Sequence, residues 1–170
     1  MLKKEIINEC IEDIKANKIV IIPTDTIYGL SAKISKDNEI KINQIKNIKH
    51  EKPLITLVSN FQQLKKLQIK KISKEDKKIL LDSRTTVIFE TSLEFKTIAV
   101  RFVKRKDIKK IINKTGPIFS TSVNKHGLKP INKEEELKNF DQNIKLFFDI
   151  EPTDLNPSKI YNSLTKKWIR

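Results

Sequence analysis

The sequence predicts an α/β fold in a single domain over residues 1–170. Three observations carry this. Short runs of apolar and β-branched residues alternate with helix-periodic stretches along the whole chain. A chain of 170 residues is long enough for one sizeable core, and no repeat, low-complexity linker or break in composition divides it. Proline and glycine, both scarce, fall between the runs, at Pro23, Pro53 and Gly116-Pro117.

Taken in order, residues 3–15 place Ile6, Ile7, Cys10, Ile11 and Ile14 on one helical face, which makes Cys10 a core residue. Residues 18–23 read as a short buried strand stopped by Pro23. A second strand covers 28–34. Ser35 or Asp37 caps a helix running to Lys46, with Ile42 and Ile45 inward. Residues 53–58, PLITLV, form a strand. A helix begins near Asn60 and carries Phe61, Leu64 and Leu67. Ser73, followed by Glu75 and Asp76, opens a helix through Leu81. Residues 85–89 and 97–102 are strands, and 107–113 is a helix with Ile108, Ile111 and Ile112 inward. A strand at 118–121 leads into a polar loop. Leu137, Phe140 and residues 144–150 give a last helix and strand, and 158–161 and 167–169 add short strands.

Lysine and arginine number 35 against 21 acids, a net charge of +14. A field of that sign attracts polyanions such as RNA, DNA or nucleotide phosphates. Nearly all of it is lysine; the arginines are Arg84, Arg101, Arg105 and Arg170. Abundant lysine, isoleucine and asparagine also fit an AT-rich codon bias, so composition is a second source of the charge. The single cysteine excludes an internal disulfide and a cysteine metal cluster and fits a reducing, cytoplasmic setting. No apolar run approaches a membrane span, and the charged, periodic start is unlike a signal peptide, so no membrane association is expected.

Four constellations carry chemistry. The first is Thr24-Asp25-Thr26-Ile27-Tyr28-Gly29 at the end of a strand. On an extended segment Thr24, Thr26 and Tyr28 point the same way and offer three hydroxyls to a small polar ligand. One of only three glycines follows them, a sign of tight backbone geometry. The second is Lys46-Asn47-Ile48-Lys49-His50-Glu51-Lys52-Pro53, whose lysines suit a polyphosphate, although an exposed basic loop reads the same way. The third is Ser120-Thr121-Ser122-Val123-Asn124, hydroxyls and an amide suited to phosphate or adenine. The fourth is Arg101, a planar fork for carboxylate or phosphate, or one half of a surface ion pair. Walker, dinucleotide-binding and G-x-S-x-G patterns are absent. With His50 and His126 the only histidines, no protein-held metal site is expected.

Together these segments resemble the YrdC-like family of TsaC-type L-threonylcarbamoyladenylate synthases. The matching pieces are PTDTIYGL at 23–30, the lysine loop ending in PL at 46–54, AVRF at 99–102, GPIFSTSVNKHG at 116–127 and, more weakly, NPSKIY at 156–161. The resemblance implies a twisted mixed sheet with flanking helices around a positively charged cavity. It implies a nucleotidyltransferase that makes threonylcarbamoyl-AMP and pyrophosphate from L-threonine, bicarbonate and ATP. The product serves threonylcarbamoyladenosine formation in tRNA, with separate proteins making the transfer. By motif position, Lys46, Arg101 and Ser122 are the catalytic set. Thr24, Thr26, Tyr28, Arg101 and Thr121 bind threonine and carbamate; Lys46, Lys49, Lys52, Ser122 and Asn124 bind ATP; and Mg²⁺ arrives with ATP.

The chain departs from the family pattern at several places. Ile48 stands where the family carries arginine, and Lys49 or Lys52 is the replacement charge. Leu57 replaces a histidine, Asp82-Ser83-Arg84 replaces a proline-glycine-proline, and a glycine-rich stretch is reduced to 151–156. These departures, with the net charge, keep a second reading open: a protein of this fold that binds tRNA or double-stranded RNA with reduced or no synthase activity. A third is carbamoyl transfer to another acceptor, as in related domains of hydrogenase-maturation proteins.

Overall fold

The computed structural model describes residues 1–48, 54–82, 84–150 and 158–170. Lys49, His50, Lys52, Pro53, Ser83 and the 151–156 stretch therefore lie outside the described residues. The elements run α1 (Lys4–Lys15), β1 (Val20–Pro23), β2 (Tyr28–Lys33), α2 (Lys36–Ile45), β3 (Ile55–Val58), a 3-10 helix (Phe61–Leu67), α3 (Lys74–Leu80), β4 (Thr85–Glu90), β5 (Thr97–Phe102), α4 (Lys106–Thr115), β6 (Ile118–Ser122), α5 (Glu134–Phe140), β7 (Lys145–Leu146), β8 (Lys159–Asn162) and β9 (Lys167–Trp168).

The strands form one mixed sheet in the order β7-β1-β2-β6-β3-β5-β4-β8-β9. The apolar run of β1 is buried at every position, as a strand covered on both faces requires. β1 and β2 form an antiparallel hairpin closed at the Pro23–Tyr28 pair, with Thr24 to Ile27 as its turn. β2 pairs antiparallel with β6, and β3 lies parallel to β5.

Paired residues share a face of the sheet, so the registers sort the core. On one face Ala32, Phe119, Val87 and Val100 are covered by Ile42 of α2, Leu80 of α3, and Leu64 and Leu67 of the 3-10 helix. On the other, Val20, Ile22, Leu57 and Ile118 pack against Ile7, Ile11 and Ile14 of α1 and Ile108, Ile111 and Ile112 of α4. Further along this second face a row crosses five strands: Ser31, Ser120, Ile55, Ala99, Ile88. Here the sheet presents hydroxyls and small side chains in place of large apolar ones, and the space above them is a cleft.

The helix ends follow local chemistry. Ser35 accepts from Asn38 N–H at the start of α2. Ser73 and Asp76 form a reciprocal capping box at the start of α3. Gly116, with φ 86°, ends α4 in a conformation that favours glycine, and Pro117 leads into β6.

Two expected elements differ. The helix from Asn60 is 3-10 and stops at Gln68, whose φ of 46° is left-handed; its seven residues bury Gln63, Leu64 and Leu67 on one side only. Of the expected strand at 144–150, only Lys145–Leu146 pairs, with β1. Beyond it Phe147 joins the α1–α4 core while Phe148 stacks on Tyr28 with ring centroids 5.6 Å apart. Phe147 N–H still donates to Ile21 O at 2.9 Å, and the two rings turn to opposite faces as successive strand residues do; the pairing with β1 ends there. No helix among the described residues is long and apolar enough to cross a membrane.

Candidate functional site

The cleft has a volume of about 520 Å³ and is walled by β2, β6, β3, β5, β4 and β8 together with the hairpin turn. Its described wall carries Arg101 and Arg170 and no acidic side chain.

At one end stands Arg101 of β5, only 5% exposed. Its guanidinium donates to Thr26 Oγ1 and Thr24 Oγ1, both at 3.3 Å. Its Nε has no partner, and no ion pair involving it is formed among the described residues. Burial pushes the Arg101 pKa down, and the negative charge of Asp25 works the other way. A guanidinium has five N–H donors, and neutral hydroxyls engage two of them. A buried cation held by neutral groups is costly unless an anion joins it. This end of the cleft is built for an anion.

The two threonines are not equivalent. Thr24 Oγ1 donates its proton to Ile27 O at 2.7 Å and accepts from Thr26 N–H at 3.3 Å. Its donor is used inside the turn. Thr26 Oγ1 lies 3.5 Å from Thr24 Oγ1, so Thr26 keeps the proton better able to turn to a ligand.

The sequence alternation does not bring the third hydroxyl to this pair, because Thr24 to Ile27 turn instead of extending. Tyr28 borders the cleft, yet its ring is 1% exposed. Its hydroxyl donates to Ile150 O at 3.1 Å and accepts from Asp149 N–H at 3.0 Å. Burial pushes the phenol pKa up, so the group stays neutral. Gly29, beside it, faces the cleft: a Cβ there would stand 2.2 Å from Ser120 Oγ.

The end of β6 supplies the next wall. Ser122 Oγ donates to Asn124 Oδ1 at 2.6 Å, and Asn124 Nδ2 donates to Leu128 O at 2.6 Å and Lys125 O at 3.0 Å. Thr121 borders the same wall. Lys46, the residue after α2, is 4% exposed and lies behind this wall. Its ammonium donates to Ser122 O, to Asn124 O at 3.0 Å and to Asn124 Oδ1 at 2.6 Å. The structure thus joins Lys46, Ser122 and Asn124 in one hydrogen-bonded unit, with Lys46 outside the cleft lining. Lys49 and Lys52 lie outside the described residues.

Sequence reasoning missed four residues. Thr86 Oγ1 and Ser158 Oγ are 3.0 Å apart at the far end of the cleft. Arg170 Nε donates to Ser158 O at 3.1 Å beside them. Ser158 lies within the NPSKIY tail match, and Arg170 is one of four arginines, so both carried a signal. The fourth, Asp25, sits in the hairpin turn and accepts from Lys104 N–H and Arg105 N–H.

Comparison with known proteins gives a consistent result. The family model Sua5_yciO_yrdC, described as Telomere recombination, matches residues 12–170. A protein of Buchnera aphidicola subsp. Acyrthosiphon pisum named threonylcarbamoyl-AMP synthase is 30% identical over 167 residues, covering 89% of this chain and 95% of its own. A protein of the same name from Buchnera aphidicola subsp. Schizaphis graminum is 28% identical, covering 95% of this chain and 93% of its own. The crystal structure of P. abyssi Sua5 complexed with L-threonine superposes with a TM-score of 0.81 at 24% identity. The match covers 93% of this chain and 51% of that one, so this chain spans about half the length of P. abyssi Sua5.

Proposed function

The chain belongs to the Sua5/YciO/YrdC family, and from that membership and the cleft we propose that it is an L-threonylcarbamoyladenylate synthase. It joins L-threonine, bicarbonate and ATP into threonylcarbamoyl-AMP and pyrophosphate, a nucleotidyl transfer. The observation that carries this reading is Arg101, a buried guanidinium opening on a cleft and paired, among the described residues, only with hydroxyls. Relatives named for this activity, aligned over most of both chains, support it.

The chemistry asks for placement more than for a protein nucleophile. The threonine amine and bicarbonate give a carbamate with loss of water. A carbamate oxygen then attacks the α-phosphorus, forming one O–P bond as the bond to pyrophosphate breaks. Both reactants are anions, so cationic and N–H donors must offset their repulsion. We assign Arg101, Thr24 and Thr26 to the threonine carboxylate or carbamate, with Thr26 as hydroxyl donor. We assign Thr121, Ser122 and Asn124 to the adenylate and the forming intermediate. Lys46 holds Ser122 and Asn124 in place and brings positive charge behind the phosphates; Lys49 and Lys52 extend that charge. Thr86, Ser158 and Arg170 form the opposite end and take the rest of the nucleotide. Tyr28 supports the wall without giving its hydroxyl to substrate.

We assign Mg²⁺ to the nucleotide rather than to a protein cage. The described wall has no acidic side chain, and no group of three or more His, Cys, Asp or Glu side chains placed to hold a metal occurs among the described residues. Phosphate oxygens are its natural ligands, and hydroxyls such as Ser122 complete them.

A second reading, RNA affinity, is supported by α4. Lys104, Lys106, Lys110 and Lys114 are exposed, while Asp107, the one acid of that stretch, is buried. Such a face favours phosphate backbones, of tRNA or of double-stranded RNA, and predicts steep salt dependence. It is compatible with the synthase reading, in which the adenylate passes to proteins that modify tRNA in the cytoplasm.

Mass-spectrometric detection of threonylcarbamoyl-AMP tests the proposal. Purified protein incubated with ATP, threonine and bicarbonate is expected to yield the adenylate. Its absence, with a Buchnera relative active under the same conditions, overturns the assignment.

A further inference from the structure

Asp25 is not part of the cleft wall, yet it joins two segments that meet at Arg101. Its Oδ1 accepts Arg105 N–H at 2.7 Å and Lys104 N–H at 3.1 Å, and its Oδ2 accepts Lys104 N–H at 3.0 Å. We infer that Asp25 is a positioning residue: its carboxylate clamps the hairpin turn to the β5–α4 junction and sets where Thr24 and Thr26 meet Arg101. The inference rests on the reading above, in which the Arg101 end holds threonine or its carbamate.

The topology explains why a clamp is required. Thr24 and Thr26 belong to the β1–β2 turn, whereas Arg101 belongs to β5, and β6 and β3 lie between β2 and β5 in the sheet. The ladder fixes the shape of the hairpin, and Thr24 N–H to Ile27 O at 3.2 Å closes its turn. Neither sets the gap from that turn to β5 directly. The threonine–Arg101 bonds cross the gap at 3.3 Å, long for their type. Asp25 crosses it with shorter, charge-assisted bonds.

The receiving side is suited to a carboxylate. The N-cap of α4, Arg105, makes no side-chain cap of its own, and Asp25 takes up its backbone N–H, one of the four that a helix start leaves unpaired. Its charge lies at the positive end of the helix dipole. The Arg105 side chain is turned away, to Asp107 at 2.9 Å and to Asp149. Lys104 and Arg105 lie three and four positions after Arg101, so a shift at the clamp moves the guanidinium relative to the turn.

The test separates positioning from plain stability by following Arg101 itself. The Arg101 Nε–H, buried and unpartnered, gives a proton–nitrogen NMR signal that reports its surroundings without any ligand. Asp25→Ala is expected to shift this signal and to speed its exchange with water. Asp25→Asn, which keeps the Oδ1 acceptor but loses the charge and the Oδ2 acceptor, is expected to shift it less than Asp25→Ala. Ser73→Ala, which removes the α3 cap, is the control: it lowers the melting temperature and leaves the Arg101 signal in place. In the assay Asp25→Ala is expected to raise KM for threonine by about tenfold to a hundredfold, with KM for ATP little changed. If Asp25→Ala does not fold, Asp25→Glu takes its place: the longer arm displaces the turn and shifts the signal.

An unmoved Arg101 signal in whichever of these two variants folds overturns the inference. So does a threonine KM that Asp25→Ala leaves at the wild-type value. If wild-type protein makes no adenylate, the proposed function falls, and the Arg101 signal alone still decides the role of Asp25.

Discussion

Gly29 stands so close to Ser120 on the neighbouring strand that a Cβ on Gly29 would lie 2.2 Å from the Ser120 hydroxyl. Both residues line the cleft, and Ser31 Oγ already donates to that hydroxyl at 3.1 Å. Gly29→Ala is therefore expected to destabilise the protein by about 1–3 kcal/mol, the usual cost of overpacking. Urea unfolding measures it. Adding Ser120→Ala removes the clashing oxygen and is expected to recover most of the loss.

Arg101 is expected to show opposite effects on activity and stability. Arg101→Met keeps the bulk and removes a buried charge that no carboxylate contacts among the described residues. Its stability is expected to stay level or rise by about 1 kcal/mol, while activity falls by about 10²-fold or more. Arg101→Lys keeps the charge but loses the fork, and its kcat/KM for threonine is expected to fall as well. Steady-state kinetics and thermal melts on the same preparations check both. A large stability loss in Arg101→Met would make the guanidinium structural.

Tyr28→Phe tests the support role of the tyrosine. It leaves Asp149 N–H and Ile150 O without the hydroxyl that now bonds both. Stability is expected to fall by about 1–3 kcal/mol, and kcat/KM to stay within a few-fold of wild type. A collapse of activity in a well-folded variant would return the hydroxyl to the substrate.

Asp107 ties stability to pH. Burial pushes its pKa up, but hydrogen bonds from Arg105, Leu2 N–H and Ile108 N–H outweigh this and hold it below the ordinary 3.8. A depressed folded-state pKa means the unfolded chain binds the proton more readily. The stabilisation is complete above that ordinary value and is lost as pH falls below it toward the folded pKa. Unfolding curves should therefore show stability dropping below about pH 4, with a shallower drop in Asp107→Asn.

The strand pattern was legible where burial is continuous or local chemistry is strong. The run Val20 to Ile22, the strand Thr97–Phe102 and the Ser73 capping box all read directly from the sequence. Legibility failed where distant contacts decide the outcome. Phe147 and Phe148 alternate between two clusters as strand residues do, and nothing in their apolar pattern marks where the pairing with β1 stops. Tyr28 looks like a third ligand hydroxyl until the hairpin turn and the Asp149–Ile150 backbone claim it. Arg101 was legible as a rare arginine at a strand end, but its unpaired burial was not. Asp25 was hidden because its partners are backbone N–H groups about eighty positions away, which no side-chain motif records.

The most direct measurement follows labelled bicarbonate into the adenylate, with ATP, threonine or the Arg101 side chain withheld in turn. The account predicts label in threonylcarbamoyl-AMP, with matching pyrophosphate, only when all substrates and Arg101 are present. No labelled adenylate from the wild-type protein, or label in Arg101→Met equal to wild type, would contradict it.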